Sequence, residues 1–230
     1  MLRRPRLVVL IVSVLTLTIL LPGTALAAPT LTGRVVQDGL SIPWDIAFTP
    51  SGKMIVTERP GRVRVFHSGN VHARPMGTTT LSNVHADGEA GVMGIAIDPN
   101  FKSNRWVYIC VSRDDEGQWR NQLIRYKVNG AWHLEFGKYL IRRGMRANTI
   151  HNGCAVEVGP DGKLWISMGD ANNGMDAQDP HKLNGKILRI NRDGTIPDDN
   201  PVWPGESGPT RVYTIGHRNP QGIAFHPENG

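Results

Sequence analysis

The sequence from His151 to Asp170, HNGCAVEVGPDGKLWISMGD, predicts a β-hairpin. An apolar run covers residues 154–158, an alternating run covers residues 163–168, and the turn sequence Gly159-Pro160-Asp161-Gly162 lies between them. Short β-prone runs on both sides of a Pro-Asp-Gly turn are typical of hairpins. Because proline cannot take φ > 0, the mirror-image turns are excluded and a type I turn with Gly162 as a bulge is favoured.

The register of this hairpin decides which residues meet at its open end. A two-residue turn would pair residues whose numbers sum to 321, and 151 + 170 is 321. The bulged turn shifts the pairing by one residue, so both registers stay open. In either register the imidazole of His151 and the carboxylate of Asp170 meet just outside the ladder. A histidine oriented by a carboxylate is the usual arrangement of a general base, and a structural hydrogen bond is the alternative.

Residues 1–27 are predicted to be a secretory signal peptide. A basic n-region with Arg3, Arg4 and Arg6 precedes an apolar h-region of 15 residues at 7–21, and Ala25-Leu26-Ala27 forms a cleavage signal. The h-region is short for a transmembrane helix, and an uncleaved anchor is the alternative. We therefore expect an exported protein, periplasmic or extracellular, with no membrane span after cleavage.

Charge and composition exclude some classes of protein. Removing residues 1–27 leaves 26 − 3 = 23 basic residues against 20 acidic ones, a formal charge of +3. No basic run or aromatic–basic alternation accompanies it, so we expect no nucleic-acid partner. The remaining chain is rich in Gly and Pro, with short apolar runs and no helical stripe, which favours an all-β domain.

The chain has two cysteines, Cys110 and Cys154, on separate strand-like runs. Export permits a disulfide between them, but two buried free thiols are equally compatible with the sequence. No Cys-x-x-Cys or His-x-x-x-His spacing indicates a zinc site.

One pattern of small and apolar residues before a turn proline recurs four times. The prolines are Pro50, Pro99, Pro160 and Pro227, with spacings of 49, 61 and 67 residues. A strand follows the first three turns, and a third strand is predicted at 63–66, 123–128 and 186–190. Such repeats suggest blades of a β-propeller, and a sandwich is the alternative.

The fourth repeat reaches its turn at the last residue, Gly230. Propellers need roughly four to eight blades to close. We therefore expect residues 28–230 to be an incomplete portion of a propeller, about three blades and the start of a fourth, truncated at the C-terminus.

The segment at residues 213–222, YTIGHRNPQG, resembles the signature of the soluble quinoprotein glucose/sorbosone dehydrogenases. Other segments resemble that family in the same order, and the resemblance covers nearly all of residues 32–230. These segments are Ile42–Trp44, Thr57–Arg59, Gly88–Gly94, His151–Asp170 and Gly185–Ile190 with Asp193-Gly194. The resemblance implies an exported six-bladed β-propeller.

The resemblance also implies roles for individual residues. His151 matches the catalytic base, and Asp170 matches the carboxylate that orients it. Arg218 and Asn219 match residues that face the quinone carbonyls. Glu89 falls where members of the family carry Gln or Glu lining the substrate pocket.

Pyrroloquinoline quinone and calcium are the cofactors that the resemblance implies, with the calcium ligands expected beyond residue 230 and no metal ligand assigned in this chain. The implied reaction is oxidation of an aldose at its C1 hydroxyl to the lactone, with hydride transfer to the quinone and an electron acceptor of unknown identity. Neutral imidazole, with a reference pKa of about 6.5, suits the role of base near neutral pH.

Two other functions stay open: a lactonase-type propeller hydrolase that uses metal-bound water, and a non-catalytic binding propeller. The segment Asp170–Asp176, DANNGMD, alternates oxygen-bearing side chains as calcium loops do. Its glycine is misplaced for an EF-hand and no Glu ends the loop, so a solvated polar turn is favoured.

Overall fold

The computed structural model describes residues 31–67 and 72–228. The strands in this part of the chain are β1 (Pro43–Phe48), β2 (Lys53–Glu58), β3 (Arg62–His67), β4 (Gly77–Thr80), β5 (Val92–Ile97), β6 (Trp106–Asp115), β7 (Gln118–Val128), β8 (Leu134–Ile141), β9 (Gly153–Val158), β10 (Leu164–Met168), β11 (Lys186–Ile190) and β12 (Val212–Ile215). Two short helices, α1 (Phe101–Asn104) and α2 (Gly174–Gln178), lie between strands.

These strands form three four-stranded antiparallel sheets, in the orders β1-β2-β3-β4, β5-β6-β7-β8 and β9-β10-β11-β12. Each sheet is a meander in which strands adjacent in sequence are adjacent in space, as in the blade of a propeller. The all-β prediction and the three blades are therefore confirmed. The predicted third strands correspond to β3, β7 and β11, whereas the fourth strand of each blade (β4, β8 and β12) was not predicted.

The blades pack against one another through their sheet faces. The first strands lie side by side, since β1 contacts β5 and β5 contacts β9. One buried apolar cluster lies between blades 1 and 2 and includes Ile55, Val65 and Ile109. A second cluster lies between blades 2 and 3 and includes Tyr108 and Ile166. Alternate residues of β6 belong to the two different clusters, so its two buried faces hold the neighbouring blades together.

The β9–β10 hairpin contains both of the registers that the sequence left open. Next to the turn, Val158 pairs with Leu164, and the numbers of paired residues sum to 322. The turn itself is closed by the Gly162 N–H, which donates to Gly159 O at 2.9 Å, and Gly162 has φ +71° as a bulge residue requires. An irregularity between Ile166 and Met168 then restores the sum of 321, with Met168 opposite Gly153. This second shift brings residues 151 and 170 level with each other.

Cys110 and Cys154 form a disulfide with a Cα–Cα distance of 5.6 Å. Cys110 belongs to β6 and Cys154 to β9, so the bond joins blade 2 to blade 3. Both residues are fully buried. The structure thus decides between the two alternatives that the sequence left open.

The fourth repeat does not form a strand within the described residues. Residues 216–228 form no strand ladder. The segment still packs on blade 3, where the Phe225 ring lies 5.6 Å from that of Trp165. The predicted signal peptide, residues 1–27, lies outside the described residues. No helix in the described ranges is long and apolar enough to cross a membrane.

Candidate active site

The hairpin brings His151 and Asp170 into direct contact at its open end. Nδ1 of His151 lies 2.8 Å from Oδ1 of Asp170. The two residues keep only 8% and 5% of their surfaces exposed, so little water competes for this bond. The predicted imidazole–carboxylate pair is therefore present in the structure.

The contact fixes which imidazole nitrogen is available as a base. Asp170 Oδ1 also accepts the backbone N–H of Asn172 at 2.8 Å, so this oxygen is a hydrogen-bond acceptor. When Nδ1 of His151 donates to it, the lone pair of the neutral imidazole lies on Nε2. Nε2 makes no hydrogen bond to the described residues and is not fully covered by them. It can therefore accept a proton from a bound molecule.

Unusual backbone geometry places this pair. His151, just before β9, has φ +59°, and Ala171, just after β10, has φ +49°. Such values are rare for residues with side chains. The Ala171 N–H donates to His151 O at 3.0 Å, which ties the two strand ends together. A Cβ atom on Gly169 would lie 1.9 Å from His151 O, so only glycine permits this approach. Backbone strain of this kind is concentrated at functional sites.

Glu89 and Asn219 join the pair although they lie far from it in the sequence. Glu89 precedes β5, and its Oε2 accepts the backbone N–H of His151 at 2.8 Å. Asn219 follows β12, and its Nδ2 donates to Oε2 and Oε1 of Glu89 at 3.1 and 3.3 Å. Asn219 Oδ1 accepts the N–H of Gly153 at 3.0 Å. The structure thus brings together Glu89, His151, Asp170 and Asn219 from two blades and the C-terminal segment.

Arg218 contacts this group of residues through a backbone hydrogen bond. Its carbonyl accepts the N–H of Asp170 at 2.9 Å, whereas its side chain is exposed. Other arginines of the described chain pair with carboxylates, as Arg189 does with Asp161 and Asp199. In residues 31–67 and 72–228, no hydrogen bond or ion pair engages the Arg218 guanidinium. Its donors are therefore available to an anionic or carbonyl-bearing ligand.

A buried amide network supports the pair and was not predicted. Asn152 is fully buried, and its Oδ1 accepts from Asn121 Nδ2 at 3.2 Å and from the Asn148 N–H at 3.1 Å. Asn121 in turn accepts the Ser112 hydroxyl at 2.6 Å. The network ties the segment before β9 to β6 and β7. In the sequence, the only sign of this network is that the polar residue Asn152 directly precedes the apolar strand β9.

A buried lysine holds the loop that follows Asp170. Nζ of Lys186 donates to the carbonyl oxygens of Asp176, Ala177 and Asn184 at 2.6, 3.0 and 2.7 Å. Burial lowers the pKa of Lys186, and nearby acidic side chains oppose that effect. The pKa of His217 is also lowered, first by burial and second by the charge of Lys186. His217, one residue before Arg218, is therefore held in its neutral form near neutral pH.

Both carboxylates of the loop Asp170–Asp176 are paired with cationic or imidazole side chains of the same chain. Asp170 pairs with His151, and Asp176 pairs with Arg146 at 3.2 Å, while residues 174–178 form α2 instead of an open turn. Within the described parts of the chain, no group of three or more His, Cys, Asp or Glu side chains is arranged to hold a metal ion.

The chain matches known proteins along most of its length. The sequence profile of the family described as Glucose / Sorbosone dehydrogenase matches residues 40–230. The chain is 31% identical over 206 residues to the aldose sugar dehydrogenase YliI of Escherichia coli, covering 87% of this chain and 55% of that protein. It is 28% identical over 220 residues to quinoprotein glucose dehydrogenase B of Acinetobacter calcoaceticus, covering 84% and 46%.

Solved structures agree with the sequence matches. The PQQ-bound aldose sugar dehydrogenase of Streptomyces coelicolor superposes with a TM-score of 0.71 at 30% identity, covering 81% of this chain and 54% of that one. The apo form of the soluble aldose sugar dehydrogenase of Escherichia coli gives a TM-score of 0.73 at 30% identity, covering 84% and 56%. This chain spans about half the length of the curated relatives it matches. By profile, sequence and structure, the chain belongs to the glucose/sorbosone dehydrogenase family.

Proposed function

We propose that this protein oxidises an aldose at its C1 hydroxyl to the lactone, using pyrroloquinoline quinone as its cofactor. The observation that carries the proposal is the His151–Asp170 pair, bonded at 2.8 Å and with Nε2 unengaged, in a member of a sugar dehydrogenase family. A second support is the name of a similar structure, a PQQ-bound aldose sugar dehydrogenase.

In the proposed reaction His151 is the general base. Its Nε2 takes the proton of the C1 hydroxyl while the C1–H bond breaks and the C1–O bond becomes a carbonyl of the lactone. Asp170 keeps the proton of the imidazole on Nδ1 and stabilises the imidazolium that forms. The covered position of the pair strengthens this stabilisation, because interactions between charges are stronger where water is excluded.

The residues beside the base include hydrogen-bond donors, which bear on the choice of cofactor. A quinone with carboxylates presents oxygen atoms, which call for hydrogen-bond donors. Arg218 offers a guanidinium that no hydrogen bond or ion pair engages in the described chain, and its donors fit an oxygen-rich planar ligand. The amide N–H groups of Asn219 already donate to Glu89, so the assignment of Asn219 rests on the family resemblance. We assign both residues to cofactor binding. When bound, the quinone would supply a two-electron oxidant for the hydride of C1.

Glu89 is assigned to the wall of the substrate pocket. Its carboxylate is half-buried and accepts the N–H of His151, so a sugar bound at Nε2 of that residue would lie close to it. Through this contact Glu89 also fixes the backbone from which the base projects. Calcium is retained in the proposal on the family resemblance, without an assigned ligand among residues 31–67 and 72–228.

We further propose that residues 1–27 direct export to the periplasm or beyond and that residues 28–230 belong to a propeller domain of the dehydrogenase. The aldose would then be met outside the cytoplasm, and an external electron acceptor would reoxidise the cofactor. These assignments rest on the basic and apolar pattern of residues 3–27 and on the three blades.

The test is reconstitution of the complete purified protein with pyrroloquinoline quinone and calcium. We expect reduction of an artificial dye in the presence of D-glucose or another aldose, with the lactone as product. Sorbitol, which lacks the hemiacetal C1 hydroxyl, is the matched control and should not react. Dye reduction by sorbitol as fast as by glucose, or turnover of every aldose without added quinone, would overturn the proposal.

A further inference from the structure

We propose a second binding site, for a phosphate-type oxyanion, in a groove between blades 2 and 3. The groove has a volume of about 410 Å³ and is lined by residues that include Trp106, Arg125, Lys163, Asn191, Arg192 and Asp193. We call it the turn-end groove, because it lies at the end of the blades that carries the β9–β10 turn.

The groove is remote from the candidate active site. His151 precedes the first residue of β9, whereas Lys163 follows the turn at the other end of the same strand. A strand rises about 3.3 Å per residue, so the six residues of β9 separate the two places by about 20 Å. A ligand in the groove would therefore not contact the proposed base.

Arg125 is the first component of the site. Its guanidinium carbon lies 3.7 Å from the centre of the Trp106 ring, a cation–π contact that covers one face of the guanidinium. In the described residues no carboxylate pairs with it and no hydrogen bond uses its N–H groups. The stacking fixes the plane of the guanidinium and leaves its donor edge for a ligand. Planar donor pairs of this kind match the oxygens of phosphate and carboxylate groups.

Arg192 is the second component, and an ion pair with a buried carboxylate fixes its position. Its Nη1 lies 2.9 and 3.0 Å from the two carboxylate oxygens of Asp98, which is fully buried. Asp98 also accepts the Tyr108 hydroxyl and the Asn104 Nδ2–H. About a third of the Arg192 side chain stays exposed, and its other N–H groups make no bond within the described chain. The residue is therefore a rigid cation with free donors facing the groove.

Lys163 is the third component. Its Nζ donates to Asn191 Oδ1 at 2.7 Å, which holds the ammonium at the groove and leaves two of its three donors. The lining thus carries three cationic side chains from three separate segments of the chain. Fixed cations that converge on one cavity attract an anion more strongly than isolated surface charges do.

The acidic groups around the groove do not cancel this charge. Asp98 is ion-paired with Arg192, and Asp161 accepts a hydrogen bond from Nε of Arg189 at 2.8 Å. Asp193, the one acidic residue of the lining, accepts both the N–H and the hydroxyl of Thr195. Counting three cations, Asp193 and the buried Asp98, the groove keeps a formal charge of 3 − 2 = +1. An oxyanion bound in the groove would accept hydrogen bonds from the unused donors and balance that charge.

The probes are inorganic phosphate and glycerol 3-phosphate, which is not an aldose and does not match the proposed catalytic site. We expect saturable binding at one site by titration calorimetry with the purified protein, weakened by added salt. Tighter binding of inorganic phosphate would identify free phosphate as the ligand, and tighter binding of glycerol 3-phosphate would identify a phosphate monoester. Equal affinity would show that the groove recognises the shared phosphate group alone.

Two variants test the groove itself. Arg125→Gln and Lys163→Met each remove one charged donor set, and we expect each to weaken binding by roughly tenfold or more. Arg192→Gln is avoided, because it would leave the buried Asp98 carboxylate without its partner. Lys102→Met is the matched control, since Lys102 is an exposed lysine of α1 outside the lining. Urea unfolding of each variant checks that the fold is retained.

The proposal is overturned if neither probe binds saturably at millimolar concentration. It is equally overturned if Arg125→Gln and Lys163→Met, folded as judged by urea unfolding, bind the probes as the wild type does. A loss with Lys102→Met as large as that with Lys163→Met would show a diffuse charge effect and no built site. None of these readouts requires the quinone-loaded enzyme.

Discussion

The carboxylate of Glu89 accepts the backbone N–H of His151 at 2.8 Å, although 62 residues separate the two in the chain. The same oxygen, Oε2, accepts Nδ2 of Asn219 at 3.1 Å. One carboxylate oxygen thus joins the segment before β5, the segment before β9 and the segment after β12. It fixes the proposed base from its backbone side, while Asp170 fixes the same residue from its imidazole.

This arrangement predicts that Glu89→Gln and Glu89→Ala behave differently. Because Oε2 receives both N–H groups, the single carbonyl oxygen of Gln can take its place and keep both bonds. Ala removes the acceptor and leaves two donors unpaired, at a cost of about 1–3 kcal/mol if they stay buried. We expect kcat for aldose oxidation to fall by about tenfold or more in Glu89→Ala and only a few-fold in Glu89→Gln. Equal losses in the two variants would show that the charge itself is needed.

The disulfide between Cys110 and Cys154 should stabilise the contact of blades 2 and 3. It closes a loop of 44 residues, for which the chain-entropy relation gives roughly 4 kcal/mol of stabilisation, the upper end of the usual range of about 2–4 kcal/mol. We expect the Cys110→Ala/Cys154→Ala variant to unfold at lower urea concentration by that free energy. Two reactive thiols in the denatured, unreduced wild type would contradict the bridge. The wild type with its disulfide reduced is the control for lost packing, because it lacks the bridge and keeps both cysteine side chains.

The carboxylate of Glu157, in β9, should make the free energy of unfolding depend on pH. The pKa of Glu157 is raised, first by burial and second by the charge of Asp45. A carboxyl group with a raised folded-state pKa costs stability when ionised, and that cost disappears as the pH falls below its ordinary value of 4.5. We therefore expect Glu157→Gln to stabilise the fold at pH 7 by a fraction of 1 kcal/mol, because the group is partly exposed.

The same experiment has a clear control. Below about pH 4 the wild type and Glu157→Gln should unfold at the same urea concentration, since both side chains are then neutral. Asp87→Asn removes an exposed carboxylate that forms no hydrogen bond with the described residues, and it should leave the pH profile unchanged. A Glu157→Gln variant that is less stable at pH 7 would show that the carboxylate makes a favourable contact.

The parts of the fold that the sequence predicted are those with a strong local signal. The apolar runs of β9 and β10 and the turn at Pro160 predicted a hairpin, and its His151–Asp170 pair followed from counting residues across it. The fourth strands gave no such signal. β4 reads GTTT and β8 contains four exposed residues, because an outer strand faces solvent and lacks a continuous apolar run.

The contacts that complete the candidate site were beyond prediction from the sequence for a different reason. Asn219 meets Glu89 across 130 residues, a contact that exists only once blades 2 and 3 are packed together. The disulfide likewise depends on β6 and β9 being neighbours in space. No local pattern encodes such distances. The family resemblance indicated that Glu89 and Asn219 matter, but it gave no sign that they bind each other.

Arg218 should distinguish cofactor binding from catalysis. Its guanidinium is exposed and unpaired in the described chain, so Arg218→Ala leaves no buried charge behind and the fold should be retained. If it binds the quinone as proposed, we expect both quinone affinity and turnover to fall, each by about tenfold or more. Arg218→Lys should recover part of the affinity, since it keeps the charge without the planar fork. Unchanged quinone affinity in Arg218→Ala would remove the residue from the cofactor site.

The sharpest prediction concerns the base and its partner. In the complete enzyme, His151→Ala should lower kcat for aldose oxidation by on the order of 10²–10⁴-fold, the usual effect of losing a positioned base. Asp170→Asn should also slow the reaction, because it removes the charge that stabilises the imidazolium and permits the wrong tautomer. Quinone affinity should survive both changes, since neither residue is assigned to the cofactor.

The measurement compares quinone affinity with single-turnover kinetics for the two variants and Arg218→Ala side by side. Loss of turnover with retained affinity in His151→Ala and Asp170→Asn, against loss of both in Arg218→Ala, is the expected pattern. The backbone strain at His151, φ +59°, gives a further readout, because glycine relieves it. His151→Gly should therefore unfold at a higher urea concentration than His151→Ala, although both variants lack the base. If His151→Ala oxidises aldoses at the wild-type rate, the base lies elsewhere, and the 2.8 Å contact with Asp170 is a structural hydrogen bond at the end of a hairpin.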